Sequence, residues 1–387
     1  MPPYITQVGF TKVGDHWAKS LSDLTFEASR KMLKSESDEP DALVVANALG
    51  EISSSQGNMG ALIADGLELE DVPAYKVDAS GASGAEAINV ATNLINSGQS
   101  KKVLVVGVEK MRDLEPSKVM LAQGLSENAD YSQFFGITFA AMNALLARMY
   151  MHEYQVPRDK LSAFPVIAHK NSSTAEHAQF RKKFTAEEVS RSEIVADPLR
   201  VLDCAPVGDG AACAILSSGE EMSNSQKKEA VAILASDSSS NRLNFFDRER
   251  MLRFGATYSA VKKALARAHM SLVDVDFIEL HDAYSEAAAL SSEAIGMSKP
   301  GKACLDAASG KFDLDGEFPI STFGGMKARG CPIGAAGVYQ ICEAFLQLTE
   351  RAGSNQVKNA SRALVHGMSG LDSLAFVHVL SSGRVSI

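Results

Sequence analysis

No apolar run in this chain approaches the ~20 residues that a membrane-spanning helix needs, so the sequence predicts no transmembrane segment. The N-terminus, Met1-Pro2-Pro3-Tyr4-Ile5, has no basic stretch leading into an apolar one, and no signal peptide is expected. The five cysteines (Cys204, Cys213, Cys304, Cys331, Cys342) are scattered without a CxxC or any pairing pattern. That argues against a disulfide framework and against a self-contained zinc site, and it suits a reducing cytoplasm. Positive charge is in deficit: 38 lysines and arginines against 47 aspartates and glutamates leave a net charge of −9. General nucleic-acid binding is therefore not expected. A local basic patch for a phosphorylated ligand is still compatible with this balance, and Arg181-Lys182-Lys183 is the candidate. There is no short-period repeat and no low-complexity tract.

What the chain has is length and a regular texture. Its 387 residues, 45 % of them hydrophobic, allow large cores in one or two domains. Apolar runs at 4–10, 42–48 and 103–108 read as strands. The 3-and-4 spacing over 20–33, 59–67 and 87–95 reads as helices. This alternation implies a mostly parallel sheet covered on both faces. Between about 113 and 200 the texture changes to Met, Tyr, His and charged residues punctuated by Pro157, Pro165 and Pro198, which reads as a mainly helical insertion over the sheet. Such an insertion is either surface decoration or a lid that shapes a substrate tunnel. Strands at 213–216 and 229–235 follow, and the α/β alternation then restarts, with helices at 259–269, 284–295 and 338–348 and strands at 277–280, 363–366 and 373–380. The second half repeats the grammar of the first, so a duplicated fold is expected, with halves at 1–250 and 251–387 and a site where their loops meet.

One stretch organises the rest. Val77-Asp78-Ala79-Ser80-Gly81-Ala82-Ser83-Gly84 reads as a strand end, a tight small-residue turn and a helix start, the arrangement by which several folds present a nucleophile. The turn holds no cysteine. Three further stretches carry chemistry-bearing residues: His281-Asp282-Ala283-Tyr284 directly after a buried strand, the glycine-dense loop 324–337 with Cys331 in it, and His366-Gly367-Met368-Ser369-Gly370 between two strands. Open α/β sheets place their ligands at strand C-terminal ends of this kind. Taken singly, each stretch is also explained by turn geometry or core packing.

In this order and spacing the four stretches resemble the thiolase superfamily, over nearly the whole chain. The family's Cys-x-Ser/Thr-Gly aligns with 81–84 except at its first residue. Its His-Asp-x-Phe aligns with 281–284, its Gly-His-Pro-x-Gly-Ala-x-Gly with 330–337, and its C-terminal glycine loop with 367–370. Asp203-Cys204-Ala205-Pro206 through Ala212 and Gly107-Val108-Glu109-Lys110-Met111 point to the sterol-carrier and archaeal branch. The resemblance implies a five-layered αβαβα fold of two duplicated halves with a loop insertion. It further implies a coenzyme A thioester as substrate with no bound cofactor or metal, and a homo-oligomer. Ser83, Gly325, Gly370, Arg181 and Lys182 are the positions expected to contact the coenzyme.

In that family a cysteine thiolate at a helix N-terminus takes up the acyl group. A histidine activates it, the histidine or asparagine of the third motif completes an oxyanion hole, and a second acid/base near the C-terminus moves the α-proton. This chain departs at three of those places. Gly81 stands where the nucleophile would be, Cys331 replaces the activating histidine, and the C-terminal loop has Met368 and no cysteine. Ser80 is next to the vacant position, but using it as the nucleophile would break the Ser83-Gly84 match. Three readings follow. In the first, a C–C bond of a β-functionalised acyl-CoA is made or broken without an acyl-enzyme, as in thiolase-like aldolases that work with a zinc-ribbon OB-fold partner subunit; His281 stabilises the enolate and Tyr284 or Tyr339 handles the proton. In the second, the protein is an acetyl-CoA acetyltransferase with Cys331 as nucleophile, its thiol favoured by the helix that follows. In the third, it is a thiolase-shaped subunit that channels acyl-CoA for partners.

Overall fold

The computed structural model describes residues 1–30, 32–33 and 39–385. Eleven strands are formed among them: β1 (Pro3–Phe10), β2 (Ala42–Ala46), β3 (Ala74–Val77), β4 (Lys102–Glu109), β5 (Ile194–Ala196), β6 (Leu199–Arg200), β7 (Gly210–Ser218), β8 (Val231–Ser240), β9 (Phe277–Glu279), β10 (Arg362–Ser369) and β11 (Leu374–Ser382). All but β5 and β6, which form a small hairpin, belong to one sheet in the order β3-β2-β4-β7-β1-β8-β11-β10-β9.

The duplication is legible in the pairing. On one side β3, β2 and β4 run parallel, and β7 turns antiparallel between β4 and β1. On the other, β9 and β10 run parallel, and β11 turns antiparallel between β10 and β8. The counterpart of β3 is reduced to a single bridge, Ile278 to Ile320, flanking β9 as β3 flanks β2. Within the sheet, the described strands of the two halves pair through Tyr4–Ala232 and Ile5–Val231. β8 therefore already sits with the second half, and the chain crosses over before residue 231.

Strand alternation divides the apolar residues between separate cores. In β2, Leu43 and Val45 pack with Leu24, Ala28, Met59 and Ile63, whereas Val44 and Ala46 pack with Ala87, Ile88 and Ala91. Helices Leu21–Ser29 and Met59–Gly66 thus cover the outside of the first half. Helices Ser83–Asn96 and Ala336–Leu348 lie between the halves, where Ile88, Val338, Ile341 and Phe345 share a core with strands of both. Helices Gly255–Arg267 and Ser285–Ile295 cover the outside of the second half. Five layers, αβαβα, result. The first helix starts as its capping box dictates, with Ser20 and Asp23 exchanging bonds, but it ends at Ser29 and not at Leu33.

The two inner helices touch backbone to backbone. A Cβ on Gly84 would lie 2.7 Å from the amide nitrogen of Val338, and one on Gly337 2.5 Å from that of Ala85. Only glycine permits this crossing, which brings the turn before one helix against the loop before the other.

About half of the insertion is α-helical (Pro116–Gln123, Phe139–Tyr154, Arg158–Leu161, Ala163–Ser172 and Ala186–Arg191). It leaves the first half and packs on the second: Leu146, Tyr150, Phe164 and Ile167 share a core with Leu290 and Phe312. The Tyr150 hydroxyl donates to Glu293 Oε1 at 2.6 Å. Among the described residues no helix is long and apolar enough to cross a membrane.

Candidate active site

After β3, Ser80–Ala82 form one tight turn, with Ser80 at φ +50° in the left-handed region that side chains rarely adopt. Ser83 holds this turn together. Its hydroxyl donates to the Ser80 carbonyl (2.7 Å) and accepts from the Ala79 N–H (2.9 Å). Ser83, which the sequence suggested as a coenzyme contact, is fully buried and staples the turn. A side chain at position 81 would point straight at His281: a Cβ there would lie 3.0 Å from the Met368 carbonyl oxygen and 3.1 and 3.7 Å from Cε1 and Nε2 of the ring.

His281 follows β9 at the sheet's C-terminal end. The Met368 N–H donates to its Nδ1 at 3.3 Å. Burial, then the Lys327 and Arg329 charges, drive its pKa down to about 3, so the ring is neutral. With Nδ1 accepting, the single ring proton is assigned to Nε2, the nitrogen that faces position 81. His281 is thus a hydrogen-bond donor to the cavity and not a base. Behind it, the His281 N–H donates to His366 Nδ1 (3.4 Å), His366 Nε2 lies 2.9 Å from the Thr257 hydroxyl, and that hydroxyl donates to Asp372 Oδ1 (2.7 Å). This buried chain fixes both histidine tautomers.

The neighbouring motif residues have structural duties. The Asp282 carboxylate accepts the Met326 N–H at 2.7 Å. A Cβ on Gly325, which has φ +55°, would lie 2.4 Å from that carboxylate, so the glycine that the sequence suggested as a coenzyme contact makes room for Asp282. Glu109 accepts from Asn47 Nδ2 (3.0 Å) and the N–H groups of Ala48 (2.9 Å), Leu49 (3.2 Å) and Gly334 (3.0 Å), tying the Cys331 loop to the first half. Burial still raises Glu109 to about 7 against the pull of those donors.

Gly81, His281, Tyr284, Cys331, Met368 and Gly370 surround a cavity of about 40 Å³, which Gln123, Ser126 and Phe139 of the insertion close from the other side. Larger surface grooves elsewhere, such as the one of about 780 Å³ along Pro2, Arg267 and Arg362, contain none of these residues. Cys331 is half-buried at the cavity, yet burial pushes its thiol up to about 12, with only partial relief from Arg329. The helix expected to favour the thiolate begins at Ala336, too far on to do so. Tyr284 lines the cavity with Phe139 edge-on to its ring at 5.6 Å. Burial first, then Cys204, Glu286 and Cys331, holds its phenol well above the ordinary range.

Tyr339 is not at the site. It is fully buried, its hydroxyl bonded to the carbonyl of Thr11 (3.1 Å) and paired with the Thr11 hydroxyl (3.1 Å), and it is a core residue. Arg181 and Lys182 are exposed and outside the cavity lining, with the Lys182 ammonium 4.7 Å above the Phe184 ring. Sequence reasoning missed Gln123, Ser126, Phe139 and Glu127, because the insertion carries no motif. Glu127 is buried, accepts the Leu371 N–H at 3.1 Å, and is raised by burial to about 7.

Residues 4–235 match the family model for the thiolase N-terminal domain, and residues 238–382 the one described as thiolase C-terminal domain-like. The chain belongs to the thiolase family. It is 34 % identical to the acetyl-CoA acetyltransferase of Methanothermobacter thermautotrophicus, covering 97 % of this chain and 98 % of that one. It is 30 % identical to the Gallus gallus sterol carrier protein 2, over 98 % of this chain and 72 % of the relative. Among solved structures, the Ltp2-ChsH2(DUF35) aldolase superposes with a TM-score of 0.83 at 19 % identity, over 99 % and 98 % of the two chains. Human mitochondrial 3-ketoacyl-CoA thiolase superposes at 0.72 and 15 %, over 98 % and 99 %. These two likenesses establish the thiolase fold.

Proposed function

We propose that this thiolase-family protein binds a coenzyme A thioester and makes or breaks a C–C bond of a β-functionalised acyl-CoA without an acyl-enzyme. One observation carries the reading: the Nε2–H of a neutral His281 is aimed at position 81, where a glycine offers no atom to hold an acyl group. A donor facing the reacting atoms stabilises an oxyanion whether or not a nucleophile stands beside it. In the cleaving direction the β-hydroxyl passes its proton to the deprotonated Tyr284 oxygen, the C2–C3 electron pair moves into the thioester, and a carbonyl compound leaves. The resulting enolate oxygen accepts from His281 until C2 is protonated. In the condensing direction Tyr284, held protonated, gives its proton to the new alkoxide.

Acyl transfer through Cys331 is disfavoured by the state of its thiol. A thiol near 12 is one part thiolate in ~10⁵ at pH 7. A partner subunit of the zinc-ribbon OB-fold type is part of the proposal. The aldolase structure named above is a two-component one. Phe134 and Phe135, 78 % and 72 % exposed, stand on the same insertion that closes the cavity and offer an apolar contact.

The test is release of an aldehyde or ketone, with equimolar acyl-CoA, from a series of β-hydroxyacyl-CoA substrates, with and without a co-expressed zinc-ribbon subunit. Turnover supports the reading. Its absence in both cases, with acyl-CoA still bound, supports a non-catalytic channelling subunit instead.

A further inference from the structure

Glu127 comes from the insertion, yet its carboxylate lies against the loop between β10 and β11. Its Oε1 accepts the Leu371 N–H at 3.1 Å, while the Leu371 carbonyl is taken by Arg248. Gly370 has φ +53°, and a Cβ there would lie 2.5 Å from the same Oε1, so a glycine is what lets the carboxylate rest on this loop. Ser126, next in the chain to Glu127, and Gly370, beneath its carboxylate, both line the cavity with Gly81 and His281. The other oxygen, Oε2, is buried without any hydrogen-bond partner. A buried carboxylate oxygen left without a donor is unfavourable for the ionised form, and a protonated one is an acid without an acceptor. An incoming group completes it in either state.

We propose that Glu127 is the proton carrier for C2 of the bound acyl-CoA, supplying from the insertion an acid/base that Met368 cannot. This rests on the function proposed above. In the condensing direction the ionised carboxylate takes a C2 proton, the C–H electron pair becomes the C1–C2 double bond, and the thioester oxygen becomes the enolate oxygen held by His281. In the cleaving direction the protonated carboxyl delivers its proton to C2 of the enolate and acyl-CoA is released. The group's position near neutrality lets it serve in both states.

The test is C2 hydrogen–deuterium exchange of acetyl-CoA in D₂O, followed by proton NMR, with the full-length wild type, Glu127→Gln and Glu127→Asp. The wild type exchanges C2 protons above the buffer rate. Glu127→Gln, which retains an oxygen for the Leu371 N–H, exchanges at least 100-fold more slowly, and Glu127→Asp retains a measurable fraction of the wild-type rate. Should Glu127→Gln melt well below the wild type, the Asp variant decides the matter: a carboxylate that stays folded and exchanges supports the proposal, and one that stays folded and does not overturns it. Exchange by a folded Glu127→Gln within threefold of wild type overturns it, and so does a wild type that exchanges no faster than buffer. If exchange depends on Glu127 while no carbonyl product is ever released from a β-hydroxyacyl-CoA, the aldol reading falls and the proton carrier stands.

Discussion

The backbone N–H of Met368 donates to Nδ1 of His281 at 3.3 Å, and this bond decides which face of the imidazole the cavity sees. It comes from the residue whose carbonyl oxygen would also touch any side chain at position 81. The methionine near the end of β10 offers no acid/base chemistry, but its backbone still sets the histidine's tautomer.

His281→Ala is expected to lower turnover by about 10²–10³ in kcat, the cost of removing one oxyanion donor. His281→Gln, which keeps an N–H, falls less. Because burial puts His281 at about 3, the pH–rate profile of the wild type shows no inflection from this ring between about 6 and 7. An inflection there that vanishes in His281→Gln would show that the ring titrates during turnover.

Restoring the family's cysteine does not restore its chemistry. In Gly81→Cys the new Cβ meets Met368 O at 3.0 Å and His281 Cε1 at 3.1 Å, and crowding of this kind costs about 1–3 kcal/mol. The sulfur has no base beside it, since Nε2 carries the proton. The variant is expected to melt lower, to alkylate with iodoacetamide faster at pH 9 than at pH 7, and to gain no acetyltransferase turnover.

Arg329 and Glu343, both fully buried, pair at 2.9 Å, and His177 Nε2 lies 2.8 Å from the other Glu343 oxygen. Arg329→Met strands the carboxylate and is expected to cost about 3–5 kcal/mol in denaturant unfolding. The double variant Arg329→Met/Glu343→Leu recovers most of that loss. Equal losses in single and double variants would mean that the pair itself holds the loop.

Stability depends on pH through two opposed sets of buried groups. Burial raises Glu109 and Glu127 to about 7, Glu286 to about 8 and Asp372 to about 6. It lowers His169 and His378 to about 4, and His281 and His366 to about 3. A raised carboxyl keeps in the folded state a proton that the unfolded chain releases above ~4.3, so its contribution is lost as pH rises through the folded value. A lowered histidine resists a proton that the unfolded chain takes up below ~6.5, so its contribution is lost as pH falls. From about pH 6.5 to 8 only the carboxyls act, and Tm falls with rising pH; below about 6.5 the two sets oppose each other and Tm flattens. A Tm that climbs between 6.5 and 8 in differential scanning fluorimetry would contradict these assignments.

The layers were legible because strand and helix periods separate cleanly here. Val103–Val108 and the apolar positions 88, 91 and 95 left little choice, and the four motifs located the cavity. What the motifs concealed was the division of labour inside them. Gly84, Gly325 and Gly337 share the glycine signature of ligand loops, but each is required by a neighbour: a backbone crossing for Gly84 and Gly337, and the Asp282 carboxylate for Gly325. Tyr339 sits in a loop-to-helix motif, and only the approach of β1 from the far end of the sequence shows its hydroxyl committed to Thr11. Nothing local marked Glu127, whose partner Leu371 lies 244 residues away. The basic run at 181–183 was read from charge alone, and charge does not say which face of the molecule a loop is on.

The central claim is C–C bond chemistry without a covalent acyl-enzyme. The most direct measurement is the intact mass of the protein, quenched during turnover of a β-hydroxyacyl-CoA, alongside the yield of carbonyl product. Carbonyl product and acyl-CoA in equal amounts, with the protein mass unchanged, are the expected result of this chemistry. A mass gain equal to the acyl group, mapped by peptide sequencing to Cys331 or Ser80, would contradict it.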